Sequence, residues 1–314
     1  MVLTGVSGSG KSTLMDEVIY RGVRRHLGQP TEEPGEHDAM EGLESIGDVV
    51  LVDQSAIGKS ARSNPASYVG AFDAIRSTFA SLEVARERGF TAGTFSFNSA
   101  KGQCPTCKGS GFEHIEMQFL SDVYLRCPDC NGRRFKDEVL EVEMHVADGR
   151  SLSIADVLDL TVDEAAELFA HDRKVMRALR PLLDVGLGYV ALGQPVPTLS
   201  GGEAQRLKLA KHLAPGASNA RHVLFLFDEP TTGLHFADIS TLLVAFRKLQ
   251  AAGHSLLVIE HNLDVVAAAD HVIDLGPEGG AAGGRLVFAG SPEELAESAT
   301  HTGSELRAFG KADV

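Results

Sequence analysis

Apolar residues in this chain follow two periods that alternate along its length. Val2-Leu3 open the chain, and Leu14, Val18 and Ile19 then recur at helical spacing within residues 13–25. Val49-Val50-Leu51-Val52 is a short continuous apolar run closed by Asp53. Two further runs come late: Val223-Leu224-Phe225-Leu226-Phe227, closed by Asp228-Glu229, and Leu256-Leu257-Val258-Ile259, closed by Glu260-His261. Unbroken apolar runs of this length predict strands covered on both faces, as in a parallel sheet. Helices are expected over 162–170 and 173–183, and from 200 through Ala204, Leu207, Leu209, Ala210 and Leu213. Residues 112–119 and 123–126 read as two strands turned by Leu120-Ser121-Asp122. Residues 30–44 are acidic and punctuated by Pro and Gly, which predicts a surface loop. The pattern is α/β, broken by a long insertion after the third apolar segment and resumed near residue 223. No internal repeat or low-complexity tract interrupts it.

Gly5-Val6-Ser7-Gly8-Ser9-Gly10-Lys11-Ser12 has the G-x-x-x-x-G-K-[ST] spacing of a phosphate-binding loop. Its glycines let successive N–H groups turn inward as a nest for phosphate oxygens. Lys11 supplies a point charge to the β- and γ-phosphates, and Ser12 offers a hydroxyl to Mg²⁺. The helix that follows adds a favourable N-terminal dipole. A Gly/Ser-rich surface turn would carry neither the lysine nor the helix. Only Met1-Val2-Leu3-Thr4 precede the loop, so the strand before it is expected to be short, and the chain is expected to be a fragment or to start late.

Ser200-Gly201-Gly202-Glu203 has the form of a capping box, Ser at the N-cap and Glu three residues on. Free N–H groups at such a helix start suit a γ-phosphate. Downstream, Asp228 at a strand's carboxyl end is placed to hold Mg²⁺ through water, Glu229 to deprotonate the attacking water, and His261 to sense the γ-phosphate. Together with the phosphate loop, these segments stand in the order that an ATP-binding cassette requires.

Cys104, Cys107, Cys127 and Cys130 are the only cysteines. They form two C-x-x-C pairs, each written Cys-Pro-x-Cys-x-Gly, at a spacing typical of zinc. Two disulfides are the alternative, but no signal peptide is expected and ATP chemistry implies a reducing cytosol. Four thiolates leave no open position, so Zn²⁺ here is expected to be structural. His114 then reads as a solvated strand residue.

Composition changes the picture in one respect. The chain has 314 residues and a net charge of −14, which argues against a uniformly basic nucleic-acid binder. Residues 54–136 nevertheless hold eleven Lys/Arg, including Lys59, Arg126, Arg133 and Arg134, against seven acids. That surplus of four fits a patch contacting phosphates, although charge counting alone slightly favours a solvated surface. No apolar run approaches the roughly 18 residues of a membrane helix.

The chain resembles the C-terminal half of the UvrA family, the ATP-binding cassette subunits of bacterial excision repair. The resemblance runs over essentially the whole chain. It is carried by the phosphate loop, Val52-Asp53-Gln54-Ser55, Arg62-Ser63-Asn64-Pro65 and the four-cysteine module with Ile115-Glu116-Met117 and 119–124. It continues through Leu199 to Arg206, Asp228 to His235, Glu260-His261-Asn262-Leu263 and Asp274 to Gly280. It implies an α/β ABC-type core with a long helical signature insertion carrying a Cys₄ zinc module. On that division, residues 1–53 and 186–314 make the ATP-binding core, and 54–185 the insertion, with the zinc module at 104–130. It implies Gln54 as the loop glutamine near Mg²⁺ and the water. It implies that Ser200, Gly201 and Gly202 complete a nucleotide site on a second cassette, reached by homodimerisation or supplied by a missing N-terminal half. It implies a zinc module facing damaged DNA, ATP cycling in the cytoplasm, and a UvrB-like partner. A UvrA-like paralogue acting on DNA-bound drugs, or a non-catalytic fragment, would share these motifs.

Overall fold

The computed structural model describes residues 1–55, 57–58, 60, 62–115, 123–146, 149–214, 222–234 and 236–312. Its strands, among the described residues, are β1 (Val2–Gly5), β2 (Asp48–Val52), β3 (Phe112–Ile115), β4 (Val123–Arg126), β5 (Glu143–His145), β6 (Ser151–Ser153), β7 (Val223–Asp228), β8 (Ser255–Ile259), β9 (Val272–Gly276) and β10 (Arg285–Gly290). The chain divides into two compact units, Met1–Ser55 with Gly216–Val314, and Ala56–Pro215.

The first unit is built on one six-stranded sheet in the order β10-β9-β1-β8-β7-β2. Every pairing is parallel except β9 with β10. The apolar runs dictate this: β7 and β8 are buried nearly throughout, so each needs a covered face on both sides. The short apolar start forms a full central strand. All of β1 is buried, paired with β8 on one side and β9 on the other. One face carries Leu3, Met15, Val23, Val49, Leu226, Leu257 and Ile259 in a single apolar cluster. Phe227 meets Phe246 of the helix Phe236–Ala251, with ring centroids 4.7 Å apart. The expected helix after the phosphate loop is present, but Thr13–Tyr20 is π-wound before α-helix resumes at Arg21–His26. Such winding is concentrated at functional sites. Residues 30–42 are irregular and mostly exposed, as their composition predicts.

The second unit packs around aromatic rings. Phe72 stacks on Phe97 at 4.9 Å, Phe97 meets Phe135 edge-on at 5.9 Å, and Phe79 meets Phe95 at 5.6 Å. Helices Val162–Leu168 and Arg173–Asp184 fall where the periodicity puts them. The signature helix Gly201–Leu213 packs on Arg173–Asp184 and on Pro65–Tyr68, so it clusters with the insertion. The motif order places a boundary near 185, whereas the packing places it near 215, because the buried face of that helix is satisfied by insertion helices. The turn at 120–122, Lys59 and His235 lie outside the described residues, as does the side chain of His114.

Asp172 caps Arg173–Asp184 through the Lys174 and Val175 N–H groups and also accepts from the Thr78 hydroxyl. Partial burial pushes its carboxyl up, but these hydrogen bonds prevail and hold it below the ordinary carboxylate value. Asp172→Ala is expected to cost about 1 kcal/mol in urea unfolding. The difference between variant and parent should be full above pH ~4 and shrink as pH falls through the depressed folded value.

Candidate nucleotide site and metal centre

The carboxyl ends of β1, β7 and β8 lie side by side, the edge of an open parallel sheet where ligands bind. From β1 the chain turns through Gly5, Val6, Ser7, Gly8, Ser9 and Gly10 into Lys11 and Ser12. Gly8 and Gly10 take φ of +76° and +89°. This backbone is open to glycine and points N–H groups into the concavity. The Lys11 ammonium reaches back to the Gly5 and Val6 carbonyls, each at 3.0 Å. Burial pushes its pKa down, and Glu229, Asp228 and Asp274 oppose that.

Asp228 ends β7. Burial, then Glu229 and Asp53, push its carboxyl up. Acids crowded around one lysine are a donor set that a divalent cation relieves, and Ser12 at the helix start fits the same ion. The Glu229 backbone sits at φ +44°, the left-handed region, which costs a non-glycine residue about 1–3 kcal/mol. The Glu229 carboxylate lies 3.8 Å from His261 Nε2, and its carbonyl accepts a 3.5 Å hydrogen bond from Gln54 Nε2. Glu229, His261 and Gln54, singled out separately in the sequence, therefore converge. Both members of the Glu229–His261 pair are about half exposed, open to an incoming phosphate and water.

Three contributions have no role assigned from the sequence. Asp53 adds a carboxylate beside Asp228. Glu260 ties the loop after β7 to the loop after β8. A glycine-rich segment after β9 lies on the phosphate loop: Gly280 N–H donates to Gly8 O at 3.0 Å and Gly284 N–H to Ser9 O at 3.2 Å. A Cβ on Gly279 would stand 2.5 Å from the Ser7 carbonyl oxygen. The glycines of 276–284 were the available signal, but nothing local says what they approach.

In the second unit Ser200 caps Gly201–Leu213 through a complete capping box with Glu203. Tyr189 OH donates to Glu203 at 2.9 Å and accepts from Arg206 at 3.0 Å. Gly201 and Gly202 form the first residues of that helix.

The Cys104, Cys107, Cys127 and Cys130 sulfurs all lie within 4.8 Å of one another, and all four side chains are buried. Cys104 and Cys127 are 3.9 Å apart, Cys107 and Cys130 3.6 Å. These spacings exclude disulfides. They match the ~3.8 Å sulfur separation of a tetrahedral zinc with ~2.3 Å bonds. Gly111 N–H and Arg134 N–H donate to the Cys107 and Cys130 sulfurs. Burial above all drives the Cys130 thiol up to about 12, so its thiolate calls for a cation. Lys108 and Asn131, one residue past each pair, take left-handed φ before glycines 109 and 132. Between the pairs β3 and β4 run antiparallel with Phe112 opposite Arg126 and Ile115 opposite Val123, so Ile115, not residue 119, faces the start of β4.

The basic surplus is not a field of eleven outward cations. Arg134 is buried, lies over the Phe97 ring and donates to the Gly193 carbonyl. Arg133 pairs with Asp156 and Ser153, and Arg88 with Glu141. Arg126, Lys101 and Lys108 are exposed. Counting Arg134 in a phosphate-contacting surplus is corrected: its guanidinium is buried and links the cysteine turns to the Phe97 ring and the Gly193 carbonyl. No helix among the described residues is long and apolar enough to cross a membrane.

No family model matches the chain. Among curated proteins, it is 53% identical over 305 residues to UvrABC system protein A of Methanothermobacter thermautotrophicus, covering 97% of this chain and 31% of that protein. It is 50% identical over 306 residues to UvrABC system protein A of Thermus thermophilus, covering 98% and 31%. The crystal structure of UvrA2 from Deinococcus radiodurans matches with a TM-score of 0.86 and 47% identity, over 98% of this chain and 36% of that one. The chain thus spans about a third of the length of the relatives it matches.

Proposed function

Because the chain is a UvrA-related ATP-binding cassette along nearly all of its own length, we propose that it binds and hydrolyses ATP and contacts DNA in damage recognition during nucleotide excision repair. The observation that carries this reading is the convergence of Lys11, Asp228, Glu229, His261 and Gln54 on one edge of the sheet. Gly5 to Gly10 and Lys11 hold the phosphates. Ser12 and Asp228 would hold Mg²⁺, which when bound would neutralise phosphate charge. Glu229 takes the proton of the attacking water, Gln54 orients that water, and His261 faces the γ-phosphate. Ser200, Gly201 and Gly202 complete this site on a second cassette, in a homodimer or a longer protein, and a UvrB-like protein is the downstream partner. The zinc module braces the DNA-facing surface.

The test is ATP turnover against protein concentration. Specific activity should rise with concentration, because each site awaits a partner's Ser200 segment. Constant activity from a strict monomer contradicts the reading. DNA binding is tested separately, by anisotropy of labelled intact and damaged duplexes. Charge reversal at the exposed Lys101, Lys108 and Arg126 should weaken binding and lower the salt slope by about one for each phosphate no longer neutralised. An unchanged slope would make these cations a solvated face.

A further inference from the structure

Glu260 is a charged side chain that the hydrolytic scheme does not use, yet it is only 2% exposed. Each of its oxygens is committed. Oε1 accepts the Thr231 N–H at 2.8 Å, in the loop after β7. Oε2 accepts the His261 N–H at 2.9 Å and the Asn262 N–H at 3.1 Å, in the loop after β8. Asn262 in turn caps the helix Leu263–Ala267. A second tie joins the same loops: Glu229 N–H donates to the Ile259 carbonyl at 3.0 Å. The left-handed Glu229 backbone is held between these two ties, the over-determination that a strained conformation needs.

We propose that Glu260 is a positioning residue that locks the Glu229 turn to His261, fixing the spacing of base and γ-phosphate sensor. This rests on the hydrolytic reading of the site. The chemistry requires a carboxylate. Both oxygens must accept, one for each loop, and a carboxylate has acceptors on both. A glutamine in its place presents one oxygen and one NH₂. Its oxygen serves either Thr231 or the His261–Asn262 pair, and the NH₂ meets an N–H donor on the other side. One loop is then released with little change in volume.

The experiment compares the full chain with Glu260→Gln, Glu260→Asp, His261→Ala and the Glu260→Gln/His261→Ala double variant. Three quantities are read: affinity for a fluorescent ATP analogue, ATP turnover, and amide hydrogen exchange without nucleotide. Glu260→Gln should lower turnover about tenfold or more, the worth of one or two hydrogen bonds, with analogue affinity held. Exchange should accelerate over 229–234 and 259–263 while β9 stays protected, which separates a released loop from global unfolding. Glu260→Asp keeps two accepting oxygens and should recover part of the turnover. The double variant should lose less than the product of the single losses, because Glu260 acts through His261. Wild-type turnover in Glu260→Gln, unchanged exchange, or fully multiplicative losses would each overturn the proposal. If the unmodified chain turns over no ATP, the hydrolytic reading fails, and exchange alone decides the lock.

Discussion

Glu229→Gln is expected to bind ATP and fail to turn it over. The glutamine keeps the shape of the side chain and loses the basic oxygen that takes the water's proton. Removing a general base typically costs roughly a hundred- to ten-thousand-fold in rate. Lys11 and the turned glycines, to which the proposed scheme gives the phosphates, are untouched, so nucleotide affinity should match the parent. The variant should therefore accumulate with ATP bound and, with Ser200 segments engaged in trans, elute as a dimer only when ATP is present. Lys11→Ala is the contrasting control and should lose the nucleotide itself. Rapid turnover in Glu229→Gln would move the base elsewhere.

The second large effect is expected at the metal. Purified without added metal, the chain should carry one zinc, by elemental analysis. Zinc contributes on the order of 10 kcal/mol to the folding of small thiolate modules, as much as a whole domain's stability. Cys107→Ser or strong chelation should therefore do more than loosen a hairpin. Arg134 joins the cysteine turns to the Phe97 ring and the Gly193 carbonyl, and Cys104 N–H donates to the Arg134 carbonyl. Loss of the ion should lower the melting transition of the residue 56–215 unit, read by near-ultraviolet circular dichroism, while binding of the ATP analogue is retained. A metal-free chain with that transition unchanged would refute the zinc assignment.

These two sites were legible in the sequence because their chemistry is local. The phosphate loop lies within eight consecutive residues, and each cysteine pair brings its own turn. The strands that end in Asp228-Glu229 and Glu260-His261 were readable for a related reason, since doubly buried strands leave unbroken apolar runs. What the sequence hid is what distant segments decide. Gly279 is glycine because the Ser7 carbonyl stands where a methyl would go, and those residues are far apart in the chain. Glu260 looked like half of a dipeptide because its partner Thr231 belongs to another strand's loop. Arg134 counts as surface charge because counting charges cannot see that its guanidinium is buried over a ring. The signature helix was assigned to the core by motif order, but its apolar face is answered by helices of the insertion.

The strand order also sets a schedule for synthesis. Neither of the first two strands pairs with the other: β1 waits for β8 and β9, and β2 waits for β7. Within this chain two apolar strands are therefore made before their partners β7, β8 and β9, with the whole of the second unit made in between. Unpaired apolar strands are the species most prone to aggregate. The aromatic cluster and its cysteine turns are synthesised in that interval, so the length of the insertion sets how long the two strands wait for their partners. Slowing translation just before residue 223 should raise capture of nascent chains by strand-binding chaperones. Moving β1 to follow β9 by circular permutation should relieve it.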